Sequence, residues 1–123
     1  METNKKKLLI IDDDSRNIFA LAAVLKTRGY TCETAVTAAE GIQKMSREKD
    51  FRVVLMDMMM PDMDGYEAIE AIRQTEGLKE IPVIAVTAQA MVGDKERCLE
   101  AGANDYISKP IDVDRLMQLL EKY

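Results

Sequence analysis

Apolar and polar positions divide the chain into short strands that alternate with amphipathic helices. Leu8–Ile11, Val53–Met56 and Val83–Val86 are unbroken apolar runs rich in branched residues, as expected of strands covered on both faces. Thr31–Ala35 and Tyr106–Ser108 are less apolar and read as two further strands. Between them apolar residues recur at helical spacing: Ile18, Leu21, Ala22 and Leu25, then Ala38, Ile42 and Met45, then Ala68, Ile69 and Ile72, and finally Val113, Leu116, Met117 and Leu120. Val92–Ala101 carries a weaker stripe, because Asp94, Lys95, Glu96 and Arg97 follow one another. Few apolar contacts hold such a helix, so it is expected to be the most mobile.

The punctuation fits these elements. Thr37-Ala-Ala-Glu40 is a capping box, and Asp64-Gly-Tyr-Glu67 is the same device with Asp in the first place. Asp112 stands where the last helix needs an N-cap. Gly29, Gly77 and Gly102 follow helical runs, and Pro82 opens its strand. The predicted fold is (βα)5, an α/β domain with a doubly wound parallel sheet and helices on both faces. No repeat or linker interrupts it, so residues 1–123 are expected to form one domain.

Composition narrows the function. Hydrophobic residues are 47% and charged residues 32% of the 123, the balance of a globular domain with one core. No apolar run approaches the ~20 residues of a membrane helix. Met1–Lys7 is basic, but Leu8–Ile11 is too brief for a signal-peptide core and runs into three aspartates. A cytoplasmic protein is expected, with no membrane partner. The formal net charge of −5 disfavours a nucleic acid partner. Cys32 and Cys98 form no CxxC and are expected to be small buried or half-buried thiols. The chain has no histidine, which excludes Ser-His-Asp and Cys-His catalysis, a His-based zinc site and a phosphohistidine on this chain.

In a sheet of this kind function gathers beyond the carboxyl ends of the strands. There the sequence puts Asp12 and Asp13 after the first strand, Asp57 after the third, Thr87 at the end of the fourth and Lys109 after the fifth. Each has an ordinary account. Asp12–Asp14 suits a solvated turn with Asp14 or Ser15 capping a helix, and Asp57 suits a strand-end turn. Thr87 suits a strand, and Lys109 a surface. Their joint placement at four strand ends is what points to a site. Three clustered carboxylates repel and call for a cation. Oxygen donors without His or Cys favour Mg²⁺ or Mn²⁺. With a lysine for an anion and a hydroxyl donor, the set suits phosphoryl transfer onto an aspartate.

Four segments carry a resemblance: Leu8-Leu-Ile-Ile-Asp-Asp13; Leu55-Met-Asp57 with Met60-Pro-Asp-Met-Asp-Gly65; Pro82-Val-Ile-Ala-Val-Thr-Ala88; and Gly102-Ala-Asn-Asp-Tyr-Ile-Ser-Lys-Pro110. In this order and spacing they resemble the response-regulator receiver (CheY-like) domains of two-component signal transduction, over nearly the whole chain. The resemblance implies a flavodoxin-like strand order 2-1-3-4-5 and a phosphoprotein that accepts a phosphoryl group on Asp57 from a histidine kinase or phosphotransfer protein. It implies Mg²⁺ held by Asp13, Asp57 and the carbonyl of Met59, with Asp12 acting mainly through water. It also implies that Lys109 and Thr87 bind the phosphoryl group, and that Tyr106 turns inward behind Thr87. That movement would reshape the face of the fourth helix, fifth strand and fifth helix for a downstream protein. The Lys109–Pro110 bond is expected to be cis.

Other readings stay open. Met56, Met58, Met59, Met60 and Met63 could suggest a Cu(I) site, although adaptable packing accounts for them more simply. The chain could be a receiver that acts alone or one cut from a hybrid histidine kinase. A Mg²⁺-dependent phosphohydrolase of the haloacid-dehalogenase type would need an acid two residues after Asp57, where Met59 stands. A flavin carrier would need a hydroxyl- and glycine-rich loop after the first strand, which is missing. Activity beyond self-catalysed phosphorylation and dephosphorylation is not expected.

Overall fold

The structure is a computed structural model and describes residues 7–48, 50–60, 65–87 and 93–123. Ten elements alternate along the chain: β1 (Lys7–Ile11), α1 (Ser15–Thr27), β2 (Thr31–Ala35), α2 (Ala38–Arg47), β3 (Val53–Asp57), α3 (Gly65–Gln74), β4 (Val83–Thr87), α4 (Asp94–Ala101), β5 (Asp105–Ser108) and α5 (Val113–Glu121). The five strands form one parallel sheet in the order β2-β1-β3-β4-β5. This is the flavodoxin-like (βα)5 architecture read from the sequence.

Period-two alternation builds two cores from the same strands. Leu9, Val54, Met56, Val83 and Ala85 face α2, α3 and α4, where they meet Met45, Ala68, Ile69, Ile72 and Cys98. Leu8, Ile10, Val53, Leu55, Ile84 and Val86 face α1 and α5, where they meet Ile18, Leu25, Leu116, Leu119 and Leu120. Central β3 and β4 are buried at every residue, whereas edge strand β2 is buried only at Ala35. Lys44 covers part of that edge by donating to the Thr34 carbonyl, which blunts it against pairing with another chain.

Two strands run one residue past their apolar cores. Asp57 pairs with Val86, and Thr87 pairs with Ser108. These two polar residues are thus the last rungs of the ladder rather than parts of loops. Gly65, the first residue of α3, lies so close to the end of β3 that a Cβ there would come within 2.9 Å of the Met58 Cα. Glycine lets α3 start against that strand end.

The caps behave as local chemistry demands. Thr37 Oγ1 accepts from the Glu40 N–H at 3.0 Å, while Glu40 Oε1 accepts from Val36, one residue before the cap. Asp112 caps α5 by accepting from Asp114 and Arg115. The Asp64 cap and Val92 lie outside the described residues, as does Met63. Among the described residues, no helix is long and apolar enough to cross a membrane.

Candidate functional site

Four strand ends bring the polar residues together. Asp12 follows β1 and is buried, with its N–H donating to the Ala35 carbonyl at 3.0 Å. Asp57 closes β3 and is also buried. Asp13 is exposed beside them, yet one carboxylate oxygen from each of Asp12, Asp13 and Asp57 lies within 4.8 Å of the other two. Lys109, just after β5, reaches over both buried acids. Its Nζ is 3.3 Å from Asp57 Oδ2 and 3.6 Å from Asp12 Oδ2. Its N–H donates to the Thr87 carbonyl at 2.7 Å, which ties the ends of β5 and β4.

The surroundings separate the two buried acids electrically. Burial holds Asp57 above the ordinary carboxylate range; the Met59 N–H, 2.9 Å from Oδ1, and the Lys109 charge oppose this, while the Asp12 carboxylate adds to it. Burial also pushes Asp12 up, but the Asp14 N–H, the Asn17 amide, the neighbouring Asp57 carboxyl and Lys109 together leave it below its usual value. Leu21, Leu55, Val86 and Ile111 line the same small cavity as these two acids. An apolar lining of this kind strengthens every charge interaction in the cluster.

The donor set fits a hard divalent cation. It consists of carboxylate oxygens with no imidazole or thiol among them, and Mg²⁺ prefers such oxygens. A second feature fits an anion. The Thr87 hydroxyl is buried and has no hydrogen-bond partner among the described residues. A buried polar group left unsatisfied costs stability, so this hydroxyl calls for an acceptor beyond the described residues.

The remaining residues of the predicted set fall around this centre. Met59 is 61% exposed, and its described hydrogen bond is the N–H donated to Asp57. Tyr106 is half-buried, packs against the core under α2, α3 and α4, and lies beneath Lys95, whose Nζ is 5.8 Å from the ring centroid. The Lys109–Pro110 peptide is cis. Asp14 is the N-cap of α1, so the ordinary account of that turn and the site account hold together.

Two residues escaped the sequence reading. Asn17 Nδ2 donates to Asp12 Oδ2 at 2.8 Å. Its signal was available, since Asp14-Ser-Arg-Asn17 has capping-box spacing with Asn in place of Glu. Arg73 donates to the carbonyls of Lys79, Ile81 and Gly102 and to Asn104 Oδ1, at 2.7–3.0 Å. Three of these acceptors are main-chain carbonyls, which leave no mark in a sequence.

Known proteins agree with this geometry. The family model for the response regulator receiver domain matches residues 8–121. The chain is 38% identical over 125 residues to the signal transduction histidine-protein kinase BarA of Escherichia coli K12, and 40% identical over 116 residues to the sensor histidine kinase RcsC of Salmonella typhi. These matches take in 98% and 94% of this chain but only 14% and 12% of those relatives. Among solved structures, the receiver domain of a sensor histidine kinase from Pseudomonas aeruginosa PAO1, with a magnesium ion coordinated in its active-site cleft, superposes with TM-score 0.86. It is 32% identical, and the match covers 98% of each chain. The receiver domain of a Saccharomyces cerevisiae response regulator, crystallised with a histidine phosphotransfer protein, superposes with TM-score 0.87 at 25% identity, covering 100% of this chain and 91% of that one. The chain belongs to the response regulator receiver domain family and is homologous to the receiver domains of hybrid histidine kinases.

Proposed function

We propose that residues 1–123 act as one receiver unit that takes a phosphoryl group onto Asp57 and transmits the change through α4, β5 and α5. The observation that carries this reading is the Asp57 carboxylate itself. It is buried, held by the Met59 N–H and Lys109, and flanked by two more carboxylates and by the Thr87 hydroxyl, which has no partner among the described residues.

In the proposed step a carboxylate oxygen of Asp57 attacks the phosphorus of a phosphohistidine on the donor protein. A P–O bond forms, the P–N bond breaks, and the electron pair leaves with the imidazole, which takes a proton from solvent. Asp13, Asp57 and the Met59 carbonyl would hold Mg²⁺ directly and Asp12 mainly through water, with Mn²⁺ as a substitute. The bound cation supplies positive charge against the carboxylates and the phosphoryl oxygens. Lys109 gives up its contact with Asp57 Oδ2 for the new phosphoryl oxygens, and the Thr87 hydroxyl donates to one of them. Tyr106 follows Thr87. Hydrolysis of the acyl phosphate is the only turnover assigned to the chain.

The donor is a histidine kinase or a phosphotransfer protein, and the outer side of α1 is its docking face. Phe19 there is 77% exposed and lines a surface groove with Ala22, Ala23 and Tyr30, and exposed apolar surface suits a contact with another protein. The output target is a protein, since a net charge of −5 repels nucleic acid. A cytoplasmic location is supported by two cysteines that are in no disulfide.

Intact mass after incubation with acetyl phosphate and Mg²⁺ tests the reading. A single phosphate adduct is expected on the wild type and none on Asp57→Asn. No adduct on either, together with no amide shifts at the site on adding beryllofluoride and Mg²⁺, would rule it out.

A further inference from the structure

The β1–α1 junction holds a hydrogen-bond arrangement that the phosphoryl step leaves unexplained. Asp14 is the N-cap of α1, so Asn17 is the third helical residue. In a capping box that position is Glu or Gln, and its side chain accepts from the N-cap N–H. Here the Asp14 N–H donates to Asp12 Oδ1 at 2.9 Å instead, and Asn17 Nδ2 donates to Asp12 Oδ2 at 2.8 Å. Asp12 supplies the acceptor that the box lacks, and Asn17 has become a donor. An ionised carboxylate only accepts, so the amide nitrogen must face it.

Both oxygens of Asp12 are therefore gripped from one junction, one by the main chain and one by α1. Two donors on different oxygens fix the plane of a carboxylate as well as its place. Asp57 is held differently, by the N–H of Met59 on its own loop and by the long side chain of Lys109. Asp12 is the one whose two oxygens are both held from a single helix junction.

We propose that Asn17 is a positioning residue for the cation site, and that by clamping Asp12 it sets the preference for Mg²⁺ over Ca²⁺. This rests on the metal-dependent reading above. Mg²⁺ demands near-ideal octahedral geometry at short distances, whereas Ca²⁺ accepts irregular and bidentate ligation at longer ones. A clamped Asp12 would fix the bound waters of the octahedral ion, and an Asp12 free to turn could displace them and ligate the larger ion itself. A residue that merely steadied the start of α1 would affect both ions alike.

The test is titration of the metal-free protein with Mg²⁺ and with Ca²⁺, followed by amide NMR shifts. Asn17→Ala and Asn17→Leu (the second close in size but without a donor) are compared with the wild type. Circular dichroism checks that each variant is folded. Partners that orient a ligand are worth roughly 10–100-fold in affinity. Both variants should bind Mg²⁺ at least about tenfold more weakly while Ca²⁺ binding changes much less. Equal losses for the two ions, no loss, or tighter Mg²⁺ binding would overturn the inference and leave the functional reading standing. The wild type gives a readout that needs no substitution. The Asn17 side-chain amide resonance should move with Mg²⁺ occupancy, and one that stays fixed through saturation overturns the assignment. A wild type that binds no Mg²⁺ would remove the metal-dependent reading and this inference together.

Discussion

The helices α1 and α4 lie on opposite faces of the sheet, start at the same carboxyl edge of its strands and are fastened in opposite ways. The first turn of α1 is held by Asp14, whose carboxylate accepts from Arg16 and Asn17, and it grips Asp12 in turn. The eight residues of α4 follow the N-cap Gly93, which has φ +97° and makes no side-chain cap. Among the described residues α4 buries only Cys98 and Ala101, while Lys95, Glu96, Arg97, Leu99 and Glu100 are exposed. Its far end is secured. Gly102 closes it with φ +119°, the Gly102 carbonyl accepts from Arg73, and Asn104 anchors the next residues to the start of β4. On the α1 side the first turn is capped and grips Asp12, whereas on the α4 side the hydrogen bonds among the described residues lie at the end away from the site, and its first turn is met by the contact of Lys95 with the Tyr106 ring. A charge added at Asp57 can therefore act on the α4 side without disturbing the ligands that received it.

The comparison breaks most readily at Arg73. Arg73→Ala removes four hydrogen bonds and leaves three carbonyls to find other partners. A loss of about 3 kcal/mol is expected in denaturant unfolding, with faster amide exchange in α4 and β5. Arg73→Lys should recover little, because an ammonium lacks the planar fork that reaches four acceptors at once. A loss below about 1 kcal/mol, within the range of ordinary substitutions, would show that α4 is held by something other than this pin.

A smaller effect is expected at the site itself. In metal-free protein, Asp57→Asn should raise stability by about 1 kcal/mol, or several degrees in Tm for a domain of this size. The sign follows from the raised pKa of Asp57. Stability from such a group is fully present below its unfolded pKa and is lost as pH rises through its folded pKa. The advantage of Asn should therefore be greatest at neutral pH. It should shrink as pH falls through the folded pKa of Asp57, and Mg²⁺ should reverse it by stabilising the wild type alone. An advantage that stays flat into acid would show that the gain does not come from a buried charge.

The sequence made the sheet legible because its central strands are buried on both faces, so Val53–Met56 and Val83–Val86 needed no tertiary knowledge. The same criterion stopped one residue short of Asp57 and Thr87, since a polar side chain ends an apolar run without ending the ladder. The acids and Lys109 were legible because topology alone brings strand ends together. Asn17 was harder, because it departs from a pattern rather than matching one. Arg73 could not be read at all, since the groups it binds are main-chain carbonyls brought near by the fold. The burial of the Thr87 hydroxyl without a partner among the described residues was likewise beyond the sequence, which shows only a strand residue.

The smallest expected effect uses the two cysteines, one on each side of the comparison. Cys98 lies fully buried on α4, so a thiol reagent reaches it only when that helix lifts. Cys32 lies half-buried on β2 in the groove beside α1, and burial pushes its thiol up to about 11. The thiolate is the reactive form, so modification of Cys32 should accelerate about tenfold per pH unit until the pH approaches that value. Beryllofluoride with Mg²⁺ should slow Cys98 by roughly threefold, less than 1 kcal/mol on the scale where tenfold is 1.4, because engaging Thr87 adds a hold on the Gly93 end of α4. Cys32 should keep its rate, since nothing on the α1 side has to move. If both thiols slowed together, the two sides would share one opening motion, and the division between a binding side held at its first turn and a reporting side held at its far end would fail.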